Sequence, residues 1–254
     1  MTPRSFTITG IVLKMVDFGD TDRFITLYTP DRGKFTCLGK GLRSIKSRRA
    51  PQIELLNRLK LQIHKSNRHY YLTECKLEER FFELKQTLPS LSSGTFIIEA
   101  TEKLTADDQQ IRELFPLLDE TLALIEFYPS KHELLREAFL LKILNLIGTI
   151  TSFRECSDCK KNLPKKDAYL DVEHSTIHCE ICRKKIQNTL HCIPLETLKL
   201  MHFILSHPIT SVLKLKIEPR HLQIMSDFGR LFLRQNLHYP LKSESFLGSL
   251  ALSH

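Results

Sequence analysis

Four cysteines restrict the possible folds of this chain more than any other residues. They form two pairs, Cys156-x-x-Cys159 and Cys179-x-x-Cys182, with 19 residues between the pairs. This spacing is typical of zinc ribbons and knuckles, because two facing CxxC turns place four thiolates at tetrahedral angles around one ion. Four protein sulfurs leave no position for water or substrate. We therefore predict one structural Zn²⁺ and no catalytic metal.

Two other roles for these cysteines stay open. Two disulfides would require an oxidising compartment, but the chain has an odd number of cysteines, seven. It also has no apolar N-terminal stretch that would serve as a signal peptide. A site with three cysteines and one other ligand is the second alternative. It would use one of the neighbouring side chains Cys192, His174, His178 or His191.

Positive charge is concentrated in the first third of the chain. Residues 1–85 contain 17 Lys and Arg against 9 Asp and Glu, whereas residues 86–254 contain 20 of each. A module that holds all of the excess charge is a candidate surface for a polyanion, and a solvated basic face without a partner is the alternative. No apolar run is long enough for a membrane span, so we expect a soluble cytoplasmic protein.

The first 80 residues have the pattern of β-strands. Five segments are rich in β-branched and aromatic residues, and turn sequences such as Pro30-Asp31-Arg32-Gly33 separate them. The predicted strands are Ile8–Val16, Phe24–Thr29, Lys34–Leu38, Ile53–His64 and Tyr70–Leu77. Five strands in so short a segment predict a small barrel. The OB-fold is the commonest barrel of this size, and its curved face binds oligonucleotides.

Beyond Glu78, apolar residues recur every three or four positions, which predicts helices that bury one face. This spacing returns after the cysteines, in Leu195–Leu205 and Leu222–Leu237. We therefore predict an α+β multidomain protein, with an N-terminal five-stranded OB-fold β-barrel followed by an all-α domain with an inserted four-cysteine zinc finger. The expected parts are the OB-fold domain (1–80), the first part of the helical domain (81–150), the zinc-finger insertion (151–190) and the second part of the helical domain (191–254).

A basic loop follows the third predicted strand. The stretch from Gly39 to Arg49 has no carboxylate and contains five cations, which are Lys40, Arg43, Lys46, Arg48 and Arg49. Its glycines allow close approach to a phosphate, and its serines can donate hydrogen bonds to phosphate oxygens. On an OB-like barrel, such a loop predicts nucleic-acid binding. The Walker A order is absent, so nothing here predicts nucleotide hydrolysis.

Two further sets of side chains belong to the same region. Asp17, Asp20 and Asp22 fit either a solvated turn or a magnesium site for phosphodiester cleavage. No second carboxylate group and no common enzyme motif accompanies them, which favours a protein that is not an enzyme. Six aromatic residues are candidates for stacking on bases, although strand alternation would bury about half of them. They are Phe18, Phe24, Tyr28, Phe35, Tyr70 and Tyr71.

The chain resembles one known family. The run Gly10–Leu13, then Phe18–Lys34, then Gly39–Arg48 agrees in order, spacing and residue type with the N-terminal region of RecO, the bacterial recombination mediator family. The helical region, the CxxC…CxxC element and the ending Leu241–Leu247 agree with the family as well. The resemblance therefore covers nearly the whole chain.

The resemblance implies an N-terminal OB-fold, a helical domain with a zinc finger, and a role in DNA repair and homologous recombination. Members of the family bind single- and double-stranded DNA and anneal complementary strands without ATP. They also help RecR load RecA onto DNA coated with single-strand-binding protein. The implied partners are DNA, RecR and the tail of single-strand-binding protein, and the implied location is the bacterial cytoplasm at the nucleoid.

The resemblance also assigns DNA contacts by position, namely to Arg23, Lys34, Lys40, Arg43, Lys46 and Arg48; Arg49 extends this set by charge alone. The chain departs from the usual pattern at Gly39, where alanine is common, and at Ala50-Pro51, which replace a frequent glycine. Two other functions stay open. One is a protein-interaction scaffold with a structural zinc knuckle and auxiliary nucleic-acid binding, and the other is a zinc-ribbon protein that acts on RNA.

Overall fold

The computed structural model describes residues 4–67, 69–150, 153–163, 166–237 and 241–243. The chain divides into two compact units. One gathers Met1–His132 with the segment that begins at Leu241, and the other is Glu133–Pro240. The domain boundaries at residues 80, 150 and 190 stay a prediction. No helix of the described residues has both the length and the apolarity needed to cross a membrane.

A closed five-stranded barrel opens the first unit. Its strands are β1 (Ser5–Phe18), β2 (Asp22–Thr29), β3 (Gly33–Gly39), β4 (Arg58–Lys65) and β5 (Tyr70–Glu79). Neighbours follow the order β1-β2-β3-β5-β4, and β4 closes the barrel on β1. The β3–β5 pair is parallel, and the other pairs are antiparallel. The predicted OB-fold is confirmed.

Strand alternation builds the barrel core. Ile25 and Leu27 of β2 and Phe35 and Cys37 of β3 are buried in one apolar cluster with inward residues of the other strands. The first half of β1 pairs with β4 and the second half with β2. A bulge in the β1–β2 register between Val12 and Lys14 bends β1 so that it serves both neighbours.

The fourth strand starts later than the sequence predicts. The prediction began it at Ile53, which is wrong, because β4 begins at Arg58. Leu56 adopts a φ of 73°, and its N–H donates to the carbonyl of Val12 at 3.0 Å. Leu56 and Asn57 therefore bond to Val12 of β1, at its bulge, instead of forming a strand. Ile53 and Leu56 are buried there, which explains the strand-like pattern, whereas Leu55 is exposed.

Two helices complete the described part of the first unit, α1 (Leu88–Leu104) and α2 (Leu114–Phe127). The helix α1 begins with a side-chain cap, in which the Thr87 side chain accepts a hydrogen bond from the N–H of Ser90. It packs against β1. Its Glu99 carboxylate accepts the N–H groups of Lys242 and Ser243 at 2.9 and 2.8 Å. Residues 244–247 of the family-like ending lie outside the described residues.

The second unit contains helices and a small sheet. Apart from its first residue, α3 (His132–Leu146) belongs to this unit, and α4 (Leu195–Ser206) packs against α5 (Pro219–Leu237). The helices predicted after the cysteines are confirmed. Between α3 and α4 in sequence lies a three-stranded antiparallel sheet of order β7-β6-β8. Its strands are β6 (Ala168–Asp171), β7 (Thr176–Cys179) and β8 (Leu190–Ile193).

Candidate nucleic-acid interface and metal centre

The basic loop, residues 39–49, is folded onto the turn between β1 and β2. Gly41 has a φ of 66°, a conformation that glycine adopts without strain. Its N–H donates to the carboxylate of Asp22 at 2.9 Å. The N–H of Arg43 donates to the carbonyl of Thr21 at 2.8 Å. These bonds give the loop a fixed path from the end of β3.

Arg49 anchors the far end of the basic loop. Its guanidinium donates to the carbonyls of Leu72 and Thr73 on β5, at 2.8 and 3.2 Å, and to the carbonyl of Lys40 at 2.7 Å. One side chain thus ties both ends of the loop to the barrel. The sequence suggests a DNA contact by charge, but the guanidinium is already used to hold the loop.

Arg23 and Arg43 share one carboxylate. The Nε of Arg23 lies 2.7 Å from Oδ1 of Asp17, and the Nε of Arg43 lies 3.3 Å from Oδ2. Arg43 also donates to the carbonyl of Gly19 at 3.2 Å. All three charged side chains are partly exposed, so water weakens these pairs and a phosphate can compete for the guanidinium groups.

Lys34 is nearly buried, with 13% of its side chain exposed. Its ammonium donates to the carbonyls of Glu102 and Thr105, at 2.9 and 2.7 Å, and lies 3.4 Å from the carboxylate of Asp107. These carbonyls belong to the C-terminal end of α1, where unpaired carbonyls and the helix dipole favour a cation. Lys34 therefore joins β3 to α1.

Lys40, Lys46 and Arg48 differ from the four preceding cations. All three are exposed, and the Lys40 ammonium lies 4.9 Å from the centre of the Tyr71 ring. In the described ranges, no carboxylate lies within ion-pair distance of any of them. These three cations are available to a polyanion without first breaking an internal pair.

The contacts of the three turn aspartates and the burial of the six aromatic candidates narrow the roles that these residues can have. Asp17 and Asp22 hold the basic loop, and none of the three turn aspartates belongs to a metal-ligand cluster among the described residues. Tyr28 and Phe35 are buried. Tyr70 packs against the barrel core. The candidates that remain at the surface are Phe18, Phe24 and Tyr71.

The four predicted cysteine ligands converge in the second unit. The sulfurs of Cys156, Cys159, Cys179 and Cys182 all lie within 4.8 Å of one another, and those of Cys159 and Cys179 are 4.0 Å apart. Sulfurs bound tetrahedrally at about 2.3 Å from one ion are separated by about 3.8 Å. The donor set therefore fits a single tetrahedral metal ion.

Backbone N–H groups favour a thiolate at one of the four sulfurs, that of Cys156. Burial favours the neutral thiol of Cys156, but N–H groups of Cys159, Cys179 and Asp158 point at its sulfur and lower its pKa to about 6. Burial and the neighbouring sulfurs raise the pKa of Cys182 to about 12. The cluster favours one thiolate and resists several, because the negative charges repel one another. A divalent cation removes this conflict.

The geometry favours four cysteines over the three-cysteine alternative. His178 lies close to Cys156, but its Nδ1 is 2.7 Å from the carboxylate of Asp158 and its Nε2 is 2.8 Å from the hydroxyl of Thr176. Both ring nitrogens are thus engaged. Cys192 is exposed, and it is absent from the candidate metal groups among the described residues.

Residues beside the second CxxC pair hold its turn. The hydroxyl of Tyr169 donates to the carboxylate of Glu180 at 2.5 Å. The guanidinium of Arg183 pairs with the same carboxylate at 2.7 Å and lies 4.2 Å from the centre of the Tyr169 ring. These contacts position the chain on both sides of Cys182 and occupy the charge of Arg183.

Two family models match consecutive parts of the chain. The model described as Recombination protein O N terminal matches residues 1–81. The model described as Recombination protein O C terminal matches residues 85–245. The chain belongs to the RecO family.

Three curated relatives, each described as DNA repair protein RecO, match the chain over most of its length. The relative from Alkaliphilus metalliredigens is 26% identical over 210 residues, which cover 83% of this chain and 85% of the relative. The one from a Dehalococcoides mccartyi strain is 24% identical over 244 residues, covering 95% and 93%. The one from Desulforamulus reducens is 23% identical over 249 residues, covering 98% and 96%.

Sequence reasoning missed the acidic organisers of this RecO loop. From the sequence, Asp17 and Asp22 are interpreted as part of a solvated turn or of a metal site. In the structure, Asp17 pairs with Arg23 and Arg43, and Asp22 accepts the N–H of Gly41. One signal was present: Asp17 and Arg23 flank a short turn between two strands, and residues at such positions pair across a hairpin.

Proposed function

We propose that this chain binds single- and double-stranded DNA through the basic loop and brings complementary strands together, without a covalent step of its own. The observation that carries the proposal is the set Lys40, Lys46 and Arg48, three exposed cations on a loop that other residues hold in place. The relatives' description as DNA repair protein RecO supports DNA as the polyanion.

Electrostatics supplies the mechanism. Two DNA strands repel each other through their phosphates, and this repulsion opposes annealing. Cations that contact the phosphates of both strands lower that barrier and release condensed counterions. Phosphate contacts leave the base edges free to pair. Annealing in this scheme needs no nucleotide hydrolysis.

The seven predicted DNA contacts would then divide by role. Lys40, Lys46 and Arg48 would meet phosphates directly. Arg23 and Arg43 would exchange Asp17 for a phosphate as DNA arrives, since their pairs with Asp17 are partly exposed. Lys34 and Arg49 would act as positioning residues, because their donors are spent on backbone carbonyls.

The test reverses the three exposed cations together, in the variant Lys40→Glu, Lys46→Glu, Arg48→Glu. The matched control carries Lys60→Glu, Lys76→Glu, Arg80→Glu, which changes two lysines and one arginine that are also exposed, on or beside β4 and β5. We expect the first variant to lose strand annealing without ATP and to bind oligonucleotides at least about 100-fold more weakly. The control should keep most of both. Equal losses in the two variants would reduce the proposal to an effect of net charge.

The metal and the protein partners complete the proposal. We assign Zn²⁺ to the four cysteines because four thiolates in a tetrahedron are its usual structural site. When bound, the ion would stabilise the fold of residues 154–193. Following the family resemblance, RecR would act with the DNA-bound chain to load RecA onto strands coated with single-strand-binding protein. If the chain anneals strands in the absence of partners, it acts on DNA directly. If it does not anneal strands but still binds its partners, the protein-interaction scaffold is favoured.

A cleft in the second unit supports partner binding as a second function. Its volume is about 460 Å³, within the range of ligand pockets. The apolar part is lined by Phe153, Leu163, Leu195 and Leu198, and the polar part by Arg154, Asn162, Lys199 and His202. This combination fits an acidic peptide with an apolar end, the chemistry that the resemblance implies for the tail of single-strand-binding protein. Lys199→Glu should weaken binding of such a peptide, and Lys214→Glu should not.

A further inference from the structure

An apolar row crosses the outer face of the barrel. Strand pairing aligns Val16 of β1 with Phe24 of β2, Phe24 with Leu38 of β3, and Leu38 with Tyr71 of β5. Residues paired across a sheet project to the same face, and one sequence neighbour of each row member (Met15, Ile25, Cys37 and Leu72) packs in the core. The row therefore lies on the outer face, where a barrel strand normally carries polar side chains, and within it Leu38 is itself covered, with 4% exposed.

Two of the row's residues, Phe24 and Tyr71, also belong to a chain of ring contacts that includes Phe18 and His69. The ring of Phe18 lies 4.9 Å from that of Phe24, Phe24 lies 6.0 Å from His69, and His69 lies 6.3 Å from Tyr71. We call these four residues the aromatic row. Phe18 is 51% exposed, His69 is exposed, and the other two are half-buried. The rings thus form one chain of contacts that keeps part of its surface open to solvent.

The position of the aromatic row identifies a ligand chemistry. Phe18 precedes the β1–β2 turn, His69 belongs to the β4–β5 connection, and Phe24 lies on β2 between them. In OB-folds, these two connections and the face of β2 and β3 are where oligonucleotides bind. The ammonium of Lys40, one of the three available cations, lies over the Tyr71 ring. A row of rings bordered by cations matches a strand whose bases and phosphates alternate.

We propose that the aromatic row stacks on the unpaired bases of a single strand. The proposal rests on the DNA binding proposed above. It adds a reason for the chain to prefer single-stranded DNA over a duplex. Base faces are covered by neighbouring base pairs in a duplex, so only a single strand gives the rings a partner. Stacking uses the faces of the bases and leaves their pairing edges open. A strand held in this way can still anneal to its complement.

Absence of tryptophan from the chain allows a direct test. Phe18→Trp places a single fluorescent indole in the aromatic row, and Phe127→Trp places one at an aromatic residue that is 76% exposed on α2. We expect single-stranded oligonucleotides to quench the Phe18→Trp emission by about half or more, with little quenching by duplex. Phe127→Trp should respond to neither. Unchanged Phe18→Trp emission at saturating single strand overturns the proposal.

A second measurement separates failure of stacking from failure of DNA binding. An abasic strand keeps the phosphates and lacks the rings' partners. The unmodified chain should bind it about 10-fold more weakly than a normal strand of equal length. The double variant Phe18→Leu, Tyr71→Leu should reduce that ratio towards one, with duplex affinity unchanged.

If the unmodified chain binds both strands equally well, the stacking proposal fails and the DNA-binding proposal stands. If it binds neither strand in dilute buffer, the proposed function itself fails. If the aromatic row instead receives a protein partner, the double variant will lose that partner while the ratio between normal and abasic strands stays the same, and the stacking proposal is again excluded.

Discussion

The barrel and the cysteine knuckle, residues 154–193, are both small β structures, but different forces stabilise them. The barrel closes strands of 7 to 14 residues around a continuous apolar core. The knuckle has strands of four residues, and its central cluster consists of Cys156, Cys179 and Cys182 with Leu163 packed against it. Apolar burial can stabilise the first without a metal, whereas we expect the second to depend on its metal as well.

Both regions contain cations that have an internal partner and cations that have none. In the barrel, Lys40, Lys46 and Arg48 are exposed beside a loop that Arg49 and Asp22 hold in place. In the knuckle, Arg183 is paired with Glu180 and stacked on Tyr169, whereas Lys160, Lys161 and Lys184 are exposed and have no ion pair among the described residues. Charge content alone does not distinguish these arrangements. What distinguishes them is whether the cation has an internal partner.

Metal removal should give the largest difference between the regions. We expect Cys159→Ser to abolish zinc binding and to remove hydrogen-exchange protection from β6, β7 and β8, because the metal-binding free energy is part of the folding free energy of such a site. Protection of the barrel strands should stay the same. Cys192→Ser is the matched control, since Cys192 is an exposed cysteine outside the cluster. Equal protection in both variants would mean that the knuckle folds without its metal.

Replacing Lys34 should separate stability from DNA binding within the barrel unit. Lys34→Met removes an ammonium that donates to two carbonyls at the end of α1, and we expect it to lower the free energy of unfolding by about 1.5–3 kcal/mol. DNA affinity should change little. Urea unfolding with Lys60→Met as the exposed control measures the first effect. A stable Lys34→Met variant with weak DNA binding would return Lys34 to the DNA-contacting set.

Asp17 should give the smallest effect, and one of opposite sign. Asp17→Asn frees the guanidinium groups of Arg23 and Arg43 and removes a negative charge from the phosphate path, so DNA affinity at low salt should rise by about 2- to 5-fold. Asp20→Asn makes the same charge change at a neighbouring exposed residue, which has no ion pair within the described part of the chain. Equal gains in the two variants would show that Asp17 has no special role.

The sequence predicts the helices and strands of this protein better than it predicts which groups its charged side chains contact. Alternation and turn residues locate the five barrel strands, since burial of one face requires that pattern. The predicted start of β4 is wrong because Ile53 and Leu56 are buried without strand pairing, in a segment whose Leu56 bonds to Val12 at the β1 bulge.

The candidate site is only partly readable from the sequence, for a physical reason. Cysteine spacing predicts the metal cluster, because two CxxC turns bring their sulfurs together locally. Whether a cation is paired inside the protein or available at the surface depends on residues far away in sequence. Lys34 meets Thr105, and Arg49 meets Leu72, only after the barrel and α1 have folded. Net charge and loop position therefore predict the surface but not which of its cations are available.

Salt dependence of single-strand binding tests the central claim most directly. The slope of log affinity against log salt is about −0.7 per phosphate contact for a single strand. Compared with the unmodified chain, the variant Lys40→Glu, Lys46→Glu, Arg48→Glu should lose about 2 units of that slope, and the control Lys60→Glu, Lys76→Glu, Arg80→Glu should keep it. An unchanged slope in the first variant would contradict the assignment of DNA binding to the basic loop.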